Sequence, residues 1–174
     1  MREMEPPLLY LDVDGPLIPF GGPAGRHPEH LTERRIRDVL GTAAGHPLLA
    51  RLDPRVGARL AALPCRPVWA TTWEHAANDC VAPLLGLPPW PVLEEPADPD
   101  RPDLPPGVHW KTPLLLAHAA GAAFAWVDDE IGPPDRAWLA AHHPAPALLL
   151  RVDPRTGLTD DDLTTLDDWL RAPT

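Results

Sequence analysis

Three places along the chain put reactive side chains where an apolar run stops, and a fourth stands just before a helix start. LLYLDVDG ends in Asp12 and Asp14, WATTW breaks at Thr71 and Thr72, and AFAWVDDE ends in Asp128 and Asp129. The fourth is Lys111, the single lysine among 15 basic residues. Two pairs of carboxylates, a hydroxyl and one ammonium suit a divalent cation together with a phosphate. Mg²⁺ takes a few carboxylate or carbonyl oxygens and leaves its other positions to water and phosphate oxygens. Each group also has an ordinary structural reading. Asp–Gly is a common turn pair, and Thr71 or Thr72 would cap a helix starting at Trp73. The Asp128–Asp129 pair could be a solvated loop, except that it follows AFAWV directly. Lys111 could be a surface lysine, although arginine fills every other basic position.

The elements that must position these groups follow from pattern and punctuation. Residues 8–13 form an apolar run that reads as a buried strand. Further strands are expected near 67–70, 123–127 and 147–152, with a short one near 91–94. Residues 15–30 carry many glycines and prolines and read as a loop. A helix is expected around 31–40, and another over 54–63 with Asp53 as N-cap and Pro54 in its first turn. An amphipathic helix over 73–85 ends at Gly86. The Thr112–Pro113 pair predicts a helix start with Lys111 just ahead of its cap, and the helix runs to Gly121. Another helix falls near 134–142, and a last one opens at Thr159, with Asp162 completing a capping box. Strands alternating with helices through short loops predict a parallel sheet covered on both faces. In such sheets, ligands sit beyond the carboxyl ends of the strands, so the four places should converge.

These residues resemble the haloacid dehalogenase (HAD) superfamily, whose four motifs occur in order. Asp12 and Asp14 match motif I, Thr71 motif II, Lys111 motif III, and Asp128–Asp129 motif IV. The WATTWE and WVDDE stretches are most similar to small, nearly capless members related to the HAD domain of Swiss Army Knife RNA repair proteins. The resemblance implies a Rossmann-like α/β three-layer sandwich with a central parallel sheet. It implies an Mg²⁺-dependent phosphatase working through an aspartyl-phosphate. Asp12 would be the nucleophile, and Asp14 the acid and then the base. Thr71 would hold a phosphoryl oxygen, with the Thr72 amide pointing into the same hole. Lys111 would neutralise the developing charge. Asp12, Asp128 and Asp129 would hold the metal, joined by the Asp14 backbone carbonyl.

The gaps between Asp14 and Thr71 and between Thr72 and Lys111 are too short for a large lid. A single domain over 1–174 is expected, with at most a flap or minimal cap within 15–50 and a loop at 96–109 over the site. An open site admits large substrates, so a nucleotide or polynucleotide end and a small phosphorylated metabolite both stay open. Trp73, beside motif II, and Trp110, beside Lys111, are placed to stack on a base or sugar. His27, His30, His75 and Asn78 could face the cleft, although solvated loop and helix surfaces are their ordinary duty. His118, His142 and His143 lack metal-site spacing.

Composition sets the outer bounds. A net charge of −10 argues against extended nucleic-acid binding, although Arg26, Arg34, Arg35 and Arg37 offer one local patch. No apolar run approaches the length of a membrane span. The N-terminal stretch lacks a signal-peptide core, and Cys65 and Cys80 form no disulfide framework, so a cytoplasmic setting is expected. A dehalogenase would need neither Asp14 nor the Asp128–Asp129 pair. From another class, the chain could be a catalytically idle phosphate-binding or partner-binding module on the same scaffold. The oligomeric state is not legible.

Overall fold

A computed structural model of the chain describes residues 5–23, 26–41, 45–95 and 104–172. Its centre is a sheet of four parallel strands, β1 (Leu8–Leu11), β2 (Arg66–Trp69), β3 (Phe124–Asp128) and β4 (Ala147–Arg151), in the order β2-β1-β3-β4. Strand β1 is therefore flanked on both sides, and every one of its residues is buried.

Alternation along the strands builds two core layers, because successive side chains leave a strand on opposite faces. Leu9, Leu11, Trp69, Ala125 and Val127 enter one layer. There they meet Ile36 of α1 (Glu33–Leu40), Leu60 of α2 (Pro54–Ala61), Leu84 and Leu85 of α3 (Ala82–Leu85), and Leu163, Leu166 and Leu170 of α6 (Asp160–Arg171). Leu8, Tyr10, Val68, Phe124 and Trp126 enter the other. That layer is closed by Leu115 and Ala119 of α4 (Lys111–Ala119) and Leu139 of α5 (Pro133–His142). Each fully buried leucine or phenylalanine contributes about 1.5–3 kcal/mol. The result is the α/β three-layer sandwich, with no cap domain over the sheet edge among the described residues.

Local signals place most helix ends where expected. Asp53 accepts the Arg55 backbone N–H at the start of α2, Thr159 and Asp162 close a capping box on α6, and Gly86 ends α3 with a left-handed φ of 70°. Three expectations are corrected. The helix over 73–85 begins as turns and a π-helical turn, Ala77–Val81, before α3. The strand near 91–94 is one bridge, Trp69 to Val92, fixed by bonds from Trp69 N–H to Pro91 O and from Leu93 N–H to Trp69 O, both 2.8 Å. Helix α4 starts at Lys111, not after it, because the Thr112 hydroxyl bonds Asp135 at 2.7 Å and does not cap. The loop after β1 is present as expected, with Leu17 and Ile18 buried, and Gly15 N–H and Ile18 N–H fold the segment back on Ile18 O and Val13 O, both at 3.0 Å. Residues 24–25, 42–44 and 96–103 of the expected flap and loop lie outside the described residues.

The two sheet edges are finished differently. Strand β2 carries the Val92 bridge, while the Arg136 guanidinium reaches from α5 to Leu149 O of β4 at 3.0 Å. Among the described residues, no helix is long and apolar enough to cross a membrane.

Candidate active site

Register brings the strand ends together. Leu11 pairs with Trp69 on one side and Val127 on the other, so Asp12, Ala70 and Asp128 come next, abreast. Bonds from Asp12 N–H to Val127 O (3.1 Å) and from Ala70 N–H to Leu11 O (2.9 Å) continue the ladders to that edge. Helix α4 delivers Lys111 into the gap. Its Nζ lies 3.1 Å from Asp12 Oδ2 and 2.7 Å from Asp128 Oδ2. Lys111 is 2% exposed, Asp128 0% and Asp12 8%, so three charges share a nearly dry pocket.

Burial at that density moves the protonation equilibria. Desolvation pushes the Asp12 carboxyl up to about 7, with Lys111 pulling against it and Asp128 adding to it. Burial also works against the Lys111 charge, but Asp12 and Asp128 outweigh it and hold the ammonium above its ordinary value. Asp129 is pushed up to about 6, by burial first and then by the charge of Asp128. Two neutral donors steady the cluster: Val13 N–H bonds Asp12 Oδ1 at 2.7 Å, and Trp126 Nε1–H bonds Asp128 Oδ2 at 3.3 Å.

Asp12, Asp128 and Asp129 each offer a carboxylate oxygen within 4.8 Å of the others. A set of hard oxygens, two of them (on Asp12 and Asp129) held at raised proton affinity by burial and by the charge of Asp128, fits Mg²⁺ and would gain from its positive charge. Asp129 needs a specific neighbour. Gly15 has a φ of 97°, and a Cβ there would meet Asp129 Oδ1 at 2.6 Å. The glycine of DVDG thus both turns the chain and makes room for the second acid of motif IV.

Outside this pocket lie the remaining predicted residues. Asp14 is half-buried, and its Oδ2 accepts the Trp73 indole N–H at 3.1 Å. Thr71 is buried, and its Oγ1 accepts the Trp73 backbone N–H at 3.2 Å, so it does cap the turn there. Its own O–H is a donor for an incoming oxygen. Thr72 is exposed and lines, with Trp73 and His46, an open cleft of about 580 Å³.

Several residues that hold the site escape a reading of pattern alone. Asp135, fully buried, accepts from His109 N–H (2.7 Å), Thr112 Oγ1–H (2.7 Å) and Gly132 N–H (2.9 Å). It ties the turn ahead of Lys111 to the loop behind Asp128–Asp129. His109 accepts Lys111 N–H on Nδ1 at 3.1 Å and pairs through Nε2 with Glu130 at 2.6 Å. Asn78 faces inward: its Oδ1 accepts from Trp69 Nε1–H and Trp90 N–H, and its Nδ2–H donates to Trp90 O. The acid two residues after a Pro-Pro helix start, and an Asn on an apolar turn, were the available signals.

The weaker candidates sit away from the carboxylates. His27 bonds Gly21 O at 2.8 Å, His30 approaches Asp53 at 3.9 Å, and His75 pairs with Glu94 at 2.8 Å. His118 bonds the Tyr10 hydroxyl at 2.7 Å and His142 the Trp138 carbonyl at 2.8 Å, while His143 packs against Phe124. Arg34 and Arg37 face Asp38 and Glu33 one helical turn away, both at 3.8 Å, so part of the arginine patch is balanced on its own helix. The Trp110 ring lies 5.8 Å from Lys111 Nζ.

A family model described as the HAD domain in Swiss Army Knife RNA repair proteins matches residues 8–163. No curated protein and no solved structure matches the chain. The match runs from β1 into α6 and takes in all four motif positions, so the chain belongs to that HAD-domain family. The superfamily is one of hydrolases acting on phosphorylated substrates.

Proposed function

We propose that this HAD-domain protein is an Mg²⁺-dependent phosphomonoesterase that hydrolyses its substrate through an aspartyl-phosphate on Asp12. The observation that carries this reading is Lys111 bridging Asp12 and Asp128 at 3.1 and 2.7 Å, with Asp129 beside them. A buried lysine between two acids is costly to build for stability alone, since desolvation offsets most of the Coulomb gain. It is well suited to meeting a phosphoryl group, which arrives with its own negative charge.

Asp12, Asp128 and Asp129, with the Asp14 carbonyl, would hold Mg²⁺, which screens the repulsion between an anionic nucleophile and an anionic phosphate. The chain's own groups do the rest. An Asp12 oxygen forms a bond to phosphorus as the bond to the leaving oxygen breaks. Asp14, on the open side, gives its proton to that leaving oxygen. Lys111 already touches Asp12 and so neutralises the phosphoryl oxygens without moving. Thr71 Oγ1–H and the Thr72 N–H supply neutral donors to the same oxygens. In the second step Asp14 takes a proton from water, the water oxygen bonds phosphorus, and Asp12 is released with inorganic phosphate. The described residues place no cap over the sheet edge, and the substrate is either a nucleotide or polynucleotide end or a small phosphorylated metabolite.

The test is turnover of a panel of phosphomonoesters, including 5′- and 3′-phosphorylated oligonucleotides, with and without Mg²⁺. Asp12→Asn serves as the blank. Mg²⁺-dependent phosphate release by wild type and not by Asp12→Asn is the expected result. Equal background rates on every compound would overturn the reading and leave a phosphate-binding module.

A further inference from the structure

The turn that carries Thr71 and Thr72 is held in a costly shape. Glu74 has a φ of 49°, in the left-handed region that non-glycine residues avoid. Such outliers persist where the surroundings fix them, often beside functional groups. Glu74 directly follows Trp73, which two hydrogen bonds aim. The edge of its indole is pinned to Asp14 by the N–H at 3.1 Å, and its backbone N–H is pinned to Thr71 Oγ1 at 3.2 Å. His46, from the segment ahead of α2, closes on the ring with centroids 4.8 Å apart at 52°. That tilt leaves indole surface along the cleft of about 580 Å³, whose other walls are Thr72, Ala76, Cys80 and Gly45. The walls carry no charged side chain, although the protein as a whole is strongly acidic.

We propose that the Trp73–His46 corner is the leaving-group subsite, and that it selects phosphoesters whose leaving group is a nucleoside. This inference rests on the phosphatase reading above, because Asp14 marks where the leaving oxygen departs. A group leaving toward Asp14 passes the residue that hydrogen-bonds Asp14, and that residue is an indole with open face. Small side chains at Ala76 and Cys80 leave room for a flat ring, and the tilted imidazole offers a second π surface. The same tryptophan therefore positions Asp14 through its N–H and binds the base through its face.

Two substitutions separate those duties. Trp73→Phe keeps an aromatic face and loses the N–H; Trp73→Ala loses both. Equilibrium binding is measured by calorimetry in the Asp12→Asn background with Mg²⁺, using a nucleoside 5′-monophosphate, a 5′-phosphorylated oligonucleotide and glycerol phosphate. With Trp73 intact, the nucleoside ligands should bind about tenfold more tightly than glycerol phosphate, the scale of one base–aromatic stack. Adding Trp73→Ala should erase the preference, Trp73→Phe should keep most of it, and His46→Ala should reduce it, the thermal midpoint reporting separately on the lost cap at Leu48 N–H. In the otherwise wild-type enzyme, Trp73→Phe should lower kcat on alkyl phosphates several-fold more than on p-nitrophenyl phosphate, whose leaving group needs no proton. Preference for the free mononucleotide or for the oligonucleotide assigns the source of the base, and either supports the subsite. Equal binding of all three ligands with Trp73 intact, while Mg²⁺-dependent turnover persists, overturns the subsite alone. Turnover no greater than that of Asp12→Asn overturns the phosphatase reading, and the binding ratios then still decide whether a nucleoside site exists.

Discussion

The inner and outer halves of the site solve opposite problems. Inside, Asp12, Lys111 and Asp128 are nearly dry, and each charge is held by another at 2.7–3.1 Å. Outside, Asp14, Trp73 and His46 are half-buried or exposed, and a neutral N–H holds the one carboxylate. In low dielectric an unpaired charge is expensive, so the inner half tolerates no change of partner. In contact with water, an altered group is rescued by solvation, and substitution there tunes rather than destroys. The comparison predicts a gradient of effect from the sheet edge outward.

Lys111→Met should mark its steepest point. It leaves Asp12 and Asp128 facing each other, so a stability loss of about 3–5 kcal/mol is expected in urea unfolding, with turnover at the Asp12→Asn background. Lys111→Arg keeps the charge but not the compact ammonium, and should still lower kcat by about 100-fold. Near-normal rates with Arg would break the distinction between the two halves. Gly15→Ala comes next. It combines an unfavourable φ with a Cβ against Asp129, for about 1–3 kcal/mol, and calorimetry should show weakened Mg²⁺ binding with Lys111 undisturbed. Asp135→Asn should cost about 1–3 kcal/mol, because an amide N–H₂ must then oppose one of three donors, and kcat should fall as Lys111 loses its support. The smallest effect is expected at Glu74→Gly, which relieves a left-handed residue. Its thermal midpoint should be unchanged or higher, by no more than about 1 kcal/mol in stability.

The inner half also sets a pH signature. Asp12 and Asp129 are raised to about 7 and about 6, from an ordinary value near 3.8. Between those limits the folded protein binds more protons than the unfolded chain, so metal-free stability should fall as pH rises from about 4 to 7. Mg²⁺ prefers the ionised acids, so the rise in thermal midpoint on adding it should be larger at pH 7.5 than at pH 5. Thermal scans at both pH values, with and without the ion, measure this. A metal-free midpoint that climbs over the same range would show that the carboxyls are not desolvated as described.

What was legible in the sequence is what neighbouring residues determine. The strand ends at Asp12, Thr71 and Asp128 show as apolar runs meeting polar residues, and caps at Asp53, Gly86 and Thr159 show as local residue pairs. The capless α/β sandwich follows from their order. What was not legible depends on partners far along the chain. Thr112 looks like a cap until Asp135, 23 residues on, takes its hydroxyl. Trp73 shows in the sequence as an aromatic beside motif II, but that Asp14, 59 residues back, takes its N–H does not show. Asn78 looks like helix surface until two tryptophans close on it and the helix there widens into a π turn. Local chemistry fixes which groups reach the sheet edge; long-range hydrogen bonds fix how each is aimed.

The arginine laid across β4 has a consequence beyond the site. An exposed sheet edge presents unpaired carbonyls and amides that a strand from another molecule can extend. Arg136 occupies the Leu149 carbonyl on one edge, and the Pro91–Leu93 bridge occupies Trp69 on the other. A four-stranded sheet this apolar is a ready seed for intermolecular pairing, and both of its borders are interrupted by groups that cannot continue a ladder. The open approach over the strand ends is thus flanked by lateral edges that each carry an occupied position, Leu149 O on one and Trp69 on the other.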